Sequence, residues 1–343
     1  MGDILHALPA VTALRQTHPG WVIDWVVEPK WGALLAAPGS HGRDTGKPAA
    51  MQPLVDRLHP AATKEWRRSL LSSKTLKEIK TLRQSLRAGD YDTVIDLQGA
   101  LRSAVVGRMA GCQRLIGEEN PRERAARWFF TEHILTHGAH VIEQDVELAA
   151  AVAGDDLAPV QPLLPVSPVA EAWADTILPT ASAQPAVLIN PGAGWGAKRW
   201  PVDRYATVSK RLIERGCRVL INAGPGEEPL AEALARQTDG AATPLVCSLD
   251  QLIALTRRVA LVIAGDTGPL HLACALARPV VGIYGPTDPS RNGPFGTRFR
   301  VLRSPQSRRD HTRYEAPEAG LLTIQPEEVL RAAEELLYPE VAL

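Results

Sequence analysis

The 343-residue sequence lacks several features that would assign it directly to a class of protein. Its four cysteines lie far apart and form no Cys-x-x-Cys pair, so neither a zinc site nor a disulfide framework is predicted. Cysteine usage of this kind favours a reducing compartment, and we expect a cytoplasmic protein. No apolar run approaches the roughly 20 residues that cross a bilayer as a helix.

Net charge is also lacking, because 38 Lys and Arg residues balance 38 Asp and Glu residues. We therefore expect no nucleic-acid partner. The charge is nevertheless uneven: residues 64–127 hold 14 basic and 8 acidic side chains, and residues 291–313 hold seven arginines and one aspartate. Such stretches are typical of a solvated face, or of a surface that attracts an anionic substrate or a membrane, and the sequence leaves both interpretations open.

Motifs for metals and for ATP hydrolysis are missing as well. No GxxxxGK[ST] loop is present, and Asp155-Asp156 falls in a predicted turn rather than in an Asp-x-Asp metal motif. His133, His137 and His140 lie close together, but Gly138 interrupts any helix there. We predict no metal site and no cofactor.

The sequence does contain alternating strands and helices, which predict an α/β fold with parallel sheets covered on both faces. Helices are predicted over residues 2–16, 75–88, 101–110, 142–153, 169–177, 202–215, 228–237, 251–257, 270–277 and 326–337. Strands are predicted over residues 21–27, 91–97, 186–190, 218–223, 261–264 and 280–284.

A proline-rich tract between residues 159 and 185 suggests a linker between two domains. We predict a first domain over residues 1–160, a linker over 161–185, a second domain over 186–325, and a C-terminal helix and tail over 326–343. A strand normally opens a domain of this kind, yet the sequence begins at the loop that would follow it. We expect that the natural start lies upstream, the alternative being a first sheet that lacks one strand.

Four loops follow candidate strands and so fall at the carboxyl edge of a sheet, where α/β proteins bind ligands. They cover residues 2–3, 190–201, 224–228 and 265–269. In the last loop, glycine allows close approach to a ligand, and the amides of Thr267 and Gly268 precede a helix N-terminus that favours an anion. This predicts a diphosphate site, the alternative being that Asp266 or Thr267 only caps the helix.

Two other loops carry charged side chains suited to a nucleotide. Lys198 and Arg199 are cations that neutralise phosphates, unless they are simply solvated. Glu227 and Glu228 follow a strand, where a carboxylate accepts hydrogen bonds from ribose hydroxyls, unless both only favour a helix N-terminus.

The first loop places Asp3 beside His6. A carboxylate that faces a cleft acts as a general base toward an alcohol, and the alternative is again a helix cap.

These loops belong to five segments that together resemble the bacterial ADP-heptose:lipopolysaccharide heptosyltransferases, glycosyltransferase family 9, whose members invert the anomeric centre. The segments are MGDILHALPAVTAL, YDTVIDLQGALRSA, NPGAGWGAKRWP, INAGPGEEPLAEALA and GDTGPLHLACALARPVVGIYGPTDPSRNGPFG. WVVEPKW and HVIEQDVELA are most similar to the first heptosyltransferase, which adds heptose to the Kdo sugar of the lipid A core.

The resemblance implies the GT-B fold, with two facing Rossmann-like domains that bind the nucleotide-sugar (second domain) and the lipid acceptor (first domain). By position it implies a catalytic base at Asp3, a phosphate contact at Lys198 and a ribose contact at Glu227 or Glu228. It further implies a diphosphate and sugar loop made of Asp266, Thr267, Gly268 and His271. For the acceptor we expect contacts from His6, Arg122 and Arg124.

The implied reaction is a single displacement, in which Asp3 takes a proton from a Kdo hydroxyl and ADP leaves from the opposite face of the sugar. Lys198 and the helix amides would replace a metal ion. The lipid acceptor implies transient contact with the cytoplasmic face of the inner membrane. Two alternatives remain: a family member with another nucleotide-sugar or acceptor, and a nucleotide-sugar-binding protein without turnover.

Overall fold

The computed structural model describes residues 1–38, 53–179, 184–310, 312 and 314–339. The chain divides into two compact units, Asp3–Pro165 and Val166–Leu343. The division falls inside the proline-rich tract. Among the described residues, no helix has both the length and the apolar character needed to cross a membrane.

The first unit alternates short parallel strands with helices. Its elements are α1 (Gly2–Thr17), β1 (Asp24–Val27), β2 (Arg57–Pro60), α2 (Thr63–Trp66), α3 (Ser73–Ala88), β3 (Thr93–Asp96), α4 (Leu101–Met109), β4 (Arg114–Glu118), β5 (Glu132–Ile134) and α5 (Val141–Ala153). β1 pairs with β2, and β3, β4 and β5 form a second sheet in that order. The four predicted helices of this unit and its two predicted strands are confirmed, whereas the short helix α2 and the strands β2, β4 and β5 were not predicted.

Helix α1 is the buried element that fixes the start of this unit. Its side chains from Leu5 to Arg15 are all buried, and Ala10 and Leu14 pack against Val146 and Ala149 of α5. A helix that is buried nearly all round is held by packing rather than by its own propensity. The position of its first turn, which carries the predicted base, is therefore set by the core.

The second unit is built around one parallel sheet. Its elements are α6 (Pro168–Ile177), β6 (Ala186–Asn190), α7 (Val202–Glu214), β7 (Arg218–Ala223), α8 (Glu228–Gln237), β8 (Thr243–Val246), α9 (Leu249–Thr256), β9 (Leu261–Gly265), α10 (Gly268–Ala275), β10 (Val280–Tyr284), α11 (Pro289–Asn292), β11 (Phe299–Arg303) and α12 (Pro326–Leu337). In the described part of the chain the strand order is β11-β10-β9-β6-β7-β8.

This order is that of a Rossmann sheet: β6, β7 and β8 run to one side, and β9, β10 and β11 run to the other. β6, β9 and β10 are buried along their whole length, as expected for central parallel strands. The chain changes direction between β6 and β9, and α/β sheets bind ligands at the carboxyl end of such a point. The loops that follow β6 and β9 are the two that sequence analysis assigns to phosphate.

Candidate functional site

A largely buried ion pair joins the loops that follow β6 and β9 in the second unit. Nζ of Lys198 lies 2.5 Å from Oδ2 of Asp266, and the two side chains are only 15% and 11% exposed. The ammonium also lies 5.2 Å from the centre of the Trp195 ring, a cation–π distance. The sheet thus holds a lysine cation at its switch point.

Asp266 has a second partner, because Nε2 of His271 lies 3.1 Å from its Oδ1. Burial alone would raise the pKa of Asp266, but the His271 hydrogen bond and the Lys198 charge outweigh burial and hold it well below its usual range. Asp266 is therefore an anion at neutral pH. Its carboxylate orients Lys198 and His271, which makes it a positioning residue within the predicted diphosphate loop.

The N-terminus of α10 lies beside this ion pair. The hydroxyl of Thr267 donates to the carbonyl of Gly265 at 3.2 Å, so it turns back toward β9. The first amides of a helix have no partner within that helix. Thr267 is the N-cap of α10 and Gly268 is its first residue, so the Gly268 amide lies at a helix end that suits an anion, whereas Pro269 has no N–H to donate.

Glu227 and Glu228, the two glutamates between which the sequence does not decide, lie in different surroundings. The carboxylate of Glu227 accepts a hydrogen bond from the Gly224 amide at 3.1 Å. A Cβ placed on Gly192, in the loop after β6, would lie 2.0 Å from that same carboxylate. Glu227 thus lies between the loops that follow β6 and β7, whereas Glu228 is the first residue of α8.

Two buried asparagines align the ends of these strands. Nδ2 of Asn222 donates to Oδ1 of Asn190 at 2.6 Å, and Nδ2 of Asn190 donates to the Gly192 carbonyl at 3.1 Å. These bonds fix the backbone against which the Glu227 carboxylate rests.

The loop after β6 is covered by a segment that sequence analysis missed. The Ala197 amide donates to the Tyr314 carbonyl at 2.9 Å, and a Cβ on Gly196 would lie only 1.6 Å from the carbonyl oxygen of Glu315. Arg199 donates twice to a carbonyl of its own loop, at 3.1 and 3.3 Å. Arg199 therefore shapes the loop, while Lys198 alone of the predicted cation pair lies against Asp266.

In the first unit, Asp3 is held by two side chains. Nε2 of Gln98 donates to its Oδ2 at 2.7 Å, and Nη1 of Arg122 lies 3.7 Å from the same oxygen. The Asp3 side chain stays 51% exposed and is therefore accessible to a substrate. The sequence prediction did not include the contact between Gln98 and Asp3, although Gln98 lies at the end of a predicted strand.

A tight turn after β3 fixes Gln98. The Asp96 carboxylate accepts hydrogen bonds from the amides of Gln98 and Gly99 at 2.9 and 3.0 Å, and from the Ser103 hydroxyl at 2.9 Å. Burial raises the pKa of Asp96 despite these bonds. Gly99 has a φ of 62°, and a Cβ there would lie 3.0 Å from the Arg122 amide, so glycine lets the turn pack against the arginine segment.

The other predicted acceptor residues are dispersed. His6 is 8% exposed, and its ring lies edge-on to that of His140 with centroids 5.9 Å apart. His140 itself caps α5 through an Nδ1 that accepts from the Ile142 amide at 3.2 Å. Arg124 is exposed at the start of a 3₁₀ helix, Arg124–Phe129. The structure brings Arg122 to Asp3 and buries His6.

No group of three or more His, Cys, Asp or Glu side chains is arranged to hold a metal ion in the part of the chain that the structure describes. Both units are of the α/β class that the sequence predicts, and each is built on parallel strands.

Comparison with known proteins places the chain in a family. Residues 79–321 match the model of glycosyltransferase family 9 (heptosyltransferase). The chain is 32% identical to lipopolysaccharide heptosyltransferase 1 of Escherichia coli (strain K12) over 317 residues, which cover 89% of this chain and 91% of that protein. The chain belongs to glycosyltransferase family 9, the heptosyltransferases, and is an enzyme of the transferase class.

Solved structures agree with this family. E. coli heptosyltransferase WaaC with ADP matches with a TM-score of 0.78 at 29% identity, covering 98% of this chain and 97% of that one. WaaC with ADP-2-deoxy-2-fluoro heptose matches with a TM-score of 0.76 at 29% identity, covering 98% and 96%.

Proposed function

We propose that this enzyme transfers heptose from ADP-heptose to a Kdo sugar of the inner-core lipopolysaccharide acceptor, with inversion at the anomeric carbon. The observation that supports this best is the largely buried Lys198 beside the N-terminus of α10. The name of the E. coli relative indicates the class of product. The two ligands of WaaC, ADP and ADP-2-deoxy-2-fluoro heptose, indicate the donor.

For the donor, Lys198 and the amides at Thr267 and Gly268 bind the diphosphate. They stabilise the negative charge that grows on ADP as it leaves, and one preorganised donor of this kind contributes roughly 3 kcal/mol. Asp266 contributes by orienting Lys198 and His271. Glu227 accepts the ribose hydroxyls, because its carboxylate lies at the sheet edge.

For the acceptor, Asp3 takes the proton of a Kdo hydroxyl. A bond forms between that oxygen and the anomeric carbon, the bond from this carbon to the diphosphate oxygen breaks, and ADP departs with the electron pair. Gln98 orients the Asp3 carboxylate through its hydrogen bond. Arg122 and Arg124 bind carboxylates or phosphates of the acceptor. His6 is buried and contributes through the packing of α1.

No metal ion is needed in this scheme, because a lysine and helix amides carry out the charge stabilisation that a divalent ion supplies elsewhere. We place the enzyme in the cytoplasm, in transient contact with the inner membrane that holds its lipid acceptor.

The test is a transfer assay with the purified chain, a Kdo-lipid A acceptor, and ADP-heptose beside UDP- and GDP-sugars. We expect the heptosylated acceptor and free ADP to form when ADP-heptose is the donor, and no transfer from the UDP- and GDP-sugars. Preference for another nucleotide-sugar would contradict the donor assignment. Binding of ADP-heptose without turnover on any Kdo acceptor would instead favour the non-catalytic alternative.

A further inference from the structure

Two adjacent leucines form the apex of the connection between α2 and α3. Leu70 is 58% exposed and Leu71 is 92% exposed, and Leu76 in the first turns of α3 is 54% exposed. Single exposed apolar side chains are ordinary on protein surfaces. Contiguous ones mark a surface that contacts something apolar. We call residues 67–72 the Leu70–Leu71 turn.

The turn is held from both sides. On one side Trp66 is buried, and its Nε1 donates to Oε2 of Glu78 at 2.8 Å. On the other side the hydroxyl of Ser72 caps α3 by accepting from the Thr75 amide at 3.1 Å, and the Ser72 amide donates to the Ser69 carbonyl at 3.1 Å. The leucines are thus displayed by an ordered turn with a buried base.

Cations surround this apolar apex. Residues 64–83 contain seven basic side chains and only two acidic ones, and the basic ones are all exposed: Lys64, Arg67, Arg68, Lys74, Lys77, Lys80 and Arg83. One of the two carboxylates, Glu78, already accepts from Trp66 and lies 3.8 Å from Lys74. An apolar tip within a positive surface complements a bilayer with anionic headgroups.

We propose that the Leu70–Leu71 turn is a membrane-contact site that inserts its two leucines at the boundary between headgroups and acyl chains of an anionic bilayer. Arg67, Arg68, Lys74 and Lys77 lie against the headgroups. The proposal rests on the proposed function for the presence of a membrane, because the acceptor there is a lipid. The measurement that decides it, binding to vesicles, uses neither donor nor acceptor, so the two proposals can fail separately.

The experiment is flotation of the purified chain with vesicles that contain phosphatidylglycerol and with vesicles of phosphatidylcholine alone. The test variant is Leu70→Ser/Leu71→Ser. Its matched control is Val166→Ser/Val169→Ser, because those two valines are 54% and 80% exposed in the other unit. A Lys74→Gln/Lys77→Gln variant measures the contribution of charge, which salt should screen.

We expect binding to the anionic vesicles, reduced about tenfold by the leucine substitutions, unchanged by the valine substitutions, and weakened by salt or by the lysine substitutions. Transfer to a water-soluble Kdo acceptor should be unaffected by the leucine change. Equal vesicle binding of the wild type and the leucine variant would overturn the proposal. So would self-association of the wild type that the leucine variant abolishes without a change in vesicle binding, since a second copy would then be the partner.

Discussion

Replacing Asp266 by Asn removes the charge that holds both Lys198 and His271. The Lys198 and Asp266 charges lie 2.5 Å apart with little exposure, and at an effective dielectric of about 20 their attraction is about 7 kcal/mol. Desolvation of both groups offsets much of that attraction. Removing one partner of a buried ion pair typically costs about 3–5 kcal/mol. Since Asn keeps one oxygen as an acceptor, we expect a loss of about 3 kcal/mol in the free energy of unfolding.

The assay is urea unfolding of the wild type and of Asp266→Asn at a series of pH values. The Asp266 pKa is held below its ordinary value of 3.8. The stabilisation is therefore complete above that value and is lost as the pH falls through the lower pKa of the folded state. The difference in free energy of unfolding between the wild type and Asp266→Asn should be constant from neutral pH down to about 5. It should become smaller below pH 3.8.

The control is Asp239→Asn, because Asp239 is 90% exposed and lies 3.6 Å from Lys210. Asn tolerates its positive φ of 54°, and we expect no measurable change in stability. A loss below about 1 kcal/mol for Asp266→Asn would refute the reasoning, as would a difference that does not depend on pH in the acid range.

Two further variants probe the two halves of the site. Lys198→Met should weaken ADP binding, measured by calorimetry, about 10- to 100-fold, because it removes the largely buried cation beside α10. Gln98→Ala should lower kcat for transfer about tenfold and leave ADP affinity unchanged, because it frees the Asp3 carboxylate from its 2.7 Å hydrogen bond.

Matched substitutions elsewhere serve as controls for these two variants. Lys210→Met removes an exposed lysine that lies 3.6 Å from Asp239 and should leave ADP affinity unchanged. Gln84→Ala, on exposed surface of α3 in the same unit as Gln98, should leave kcat unchanged. Full ADP affinity in Lys198→Met, or full kcat in Gln98→Ala, would show that the side chain does not act as assigned.

The central strands of the second unit could be predicted because each is a short apolar run that ends in a loop of glycine and polar residues. β6, β9 and β10 follow this pattern and are buried on both faces. β8 and β11 are edge strands with exposed residues, so their sequences do not show the continuous apolar run on which the prediction depended. Helix α10 starts two residues earlier than predicted, because Gly268-Pro269 occupies its first turn.

The site could be predicted as a set of loops but not as a set of contacts. Parallel strands bring their loops to one edge, which is why Lys198 and Asp266 were assigned to one site. The Gln98 bond to Asp3 joins residues 95 positions apart, and the cover over Gly196 comes from residue 315. Neither contact produces a pattern in the local sequence, so each can be identified only in the folded chain. The position of the Glu227 carboxylate against Gly192 likewise has no local pattern, and the sequence offers Glu227 and Glu228 as equal candidates.

The central claim is that Asp3 activates the acceptor while the second unit holds ADP-heptose. The most direct measurement compares Asp3→Asn with the wild type in both ADP binding and heptose transfer to a Kdo-lipid A acceptor. We predict unchanged ADP affinity with transfer reduced about 10²- to 10⁴-fold, the usual contribution of a general base. Transfer at the wild-type rate in Asp3→Asn would contradict the account, because the proton would then leave to a different group.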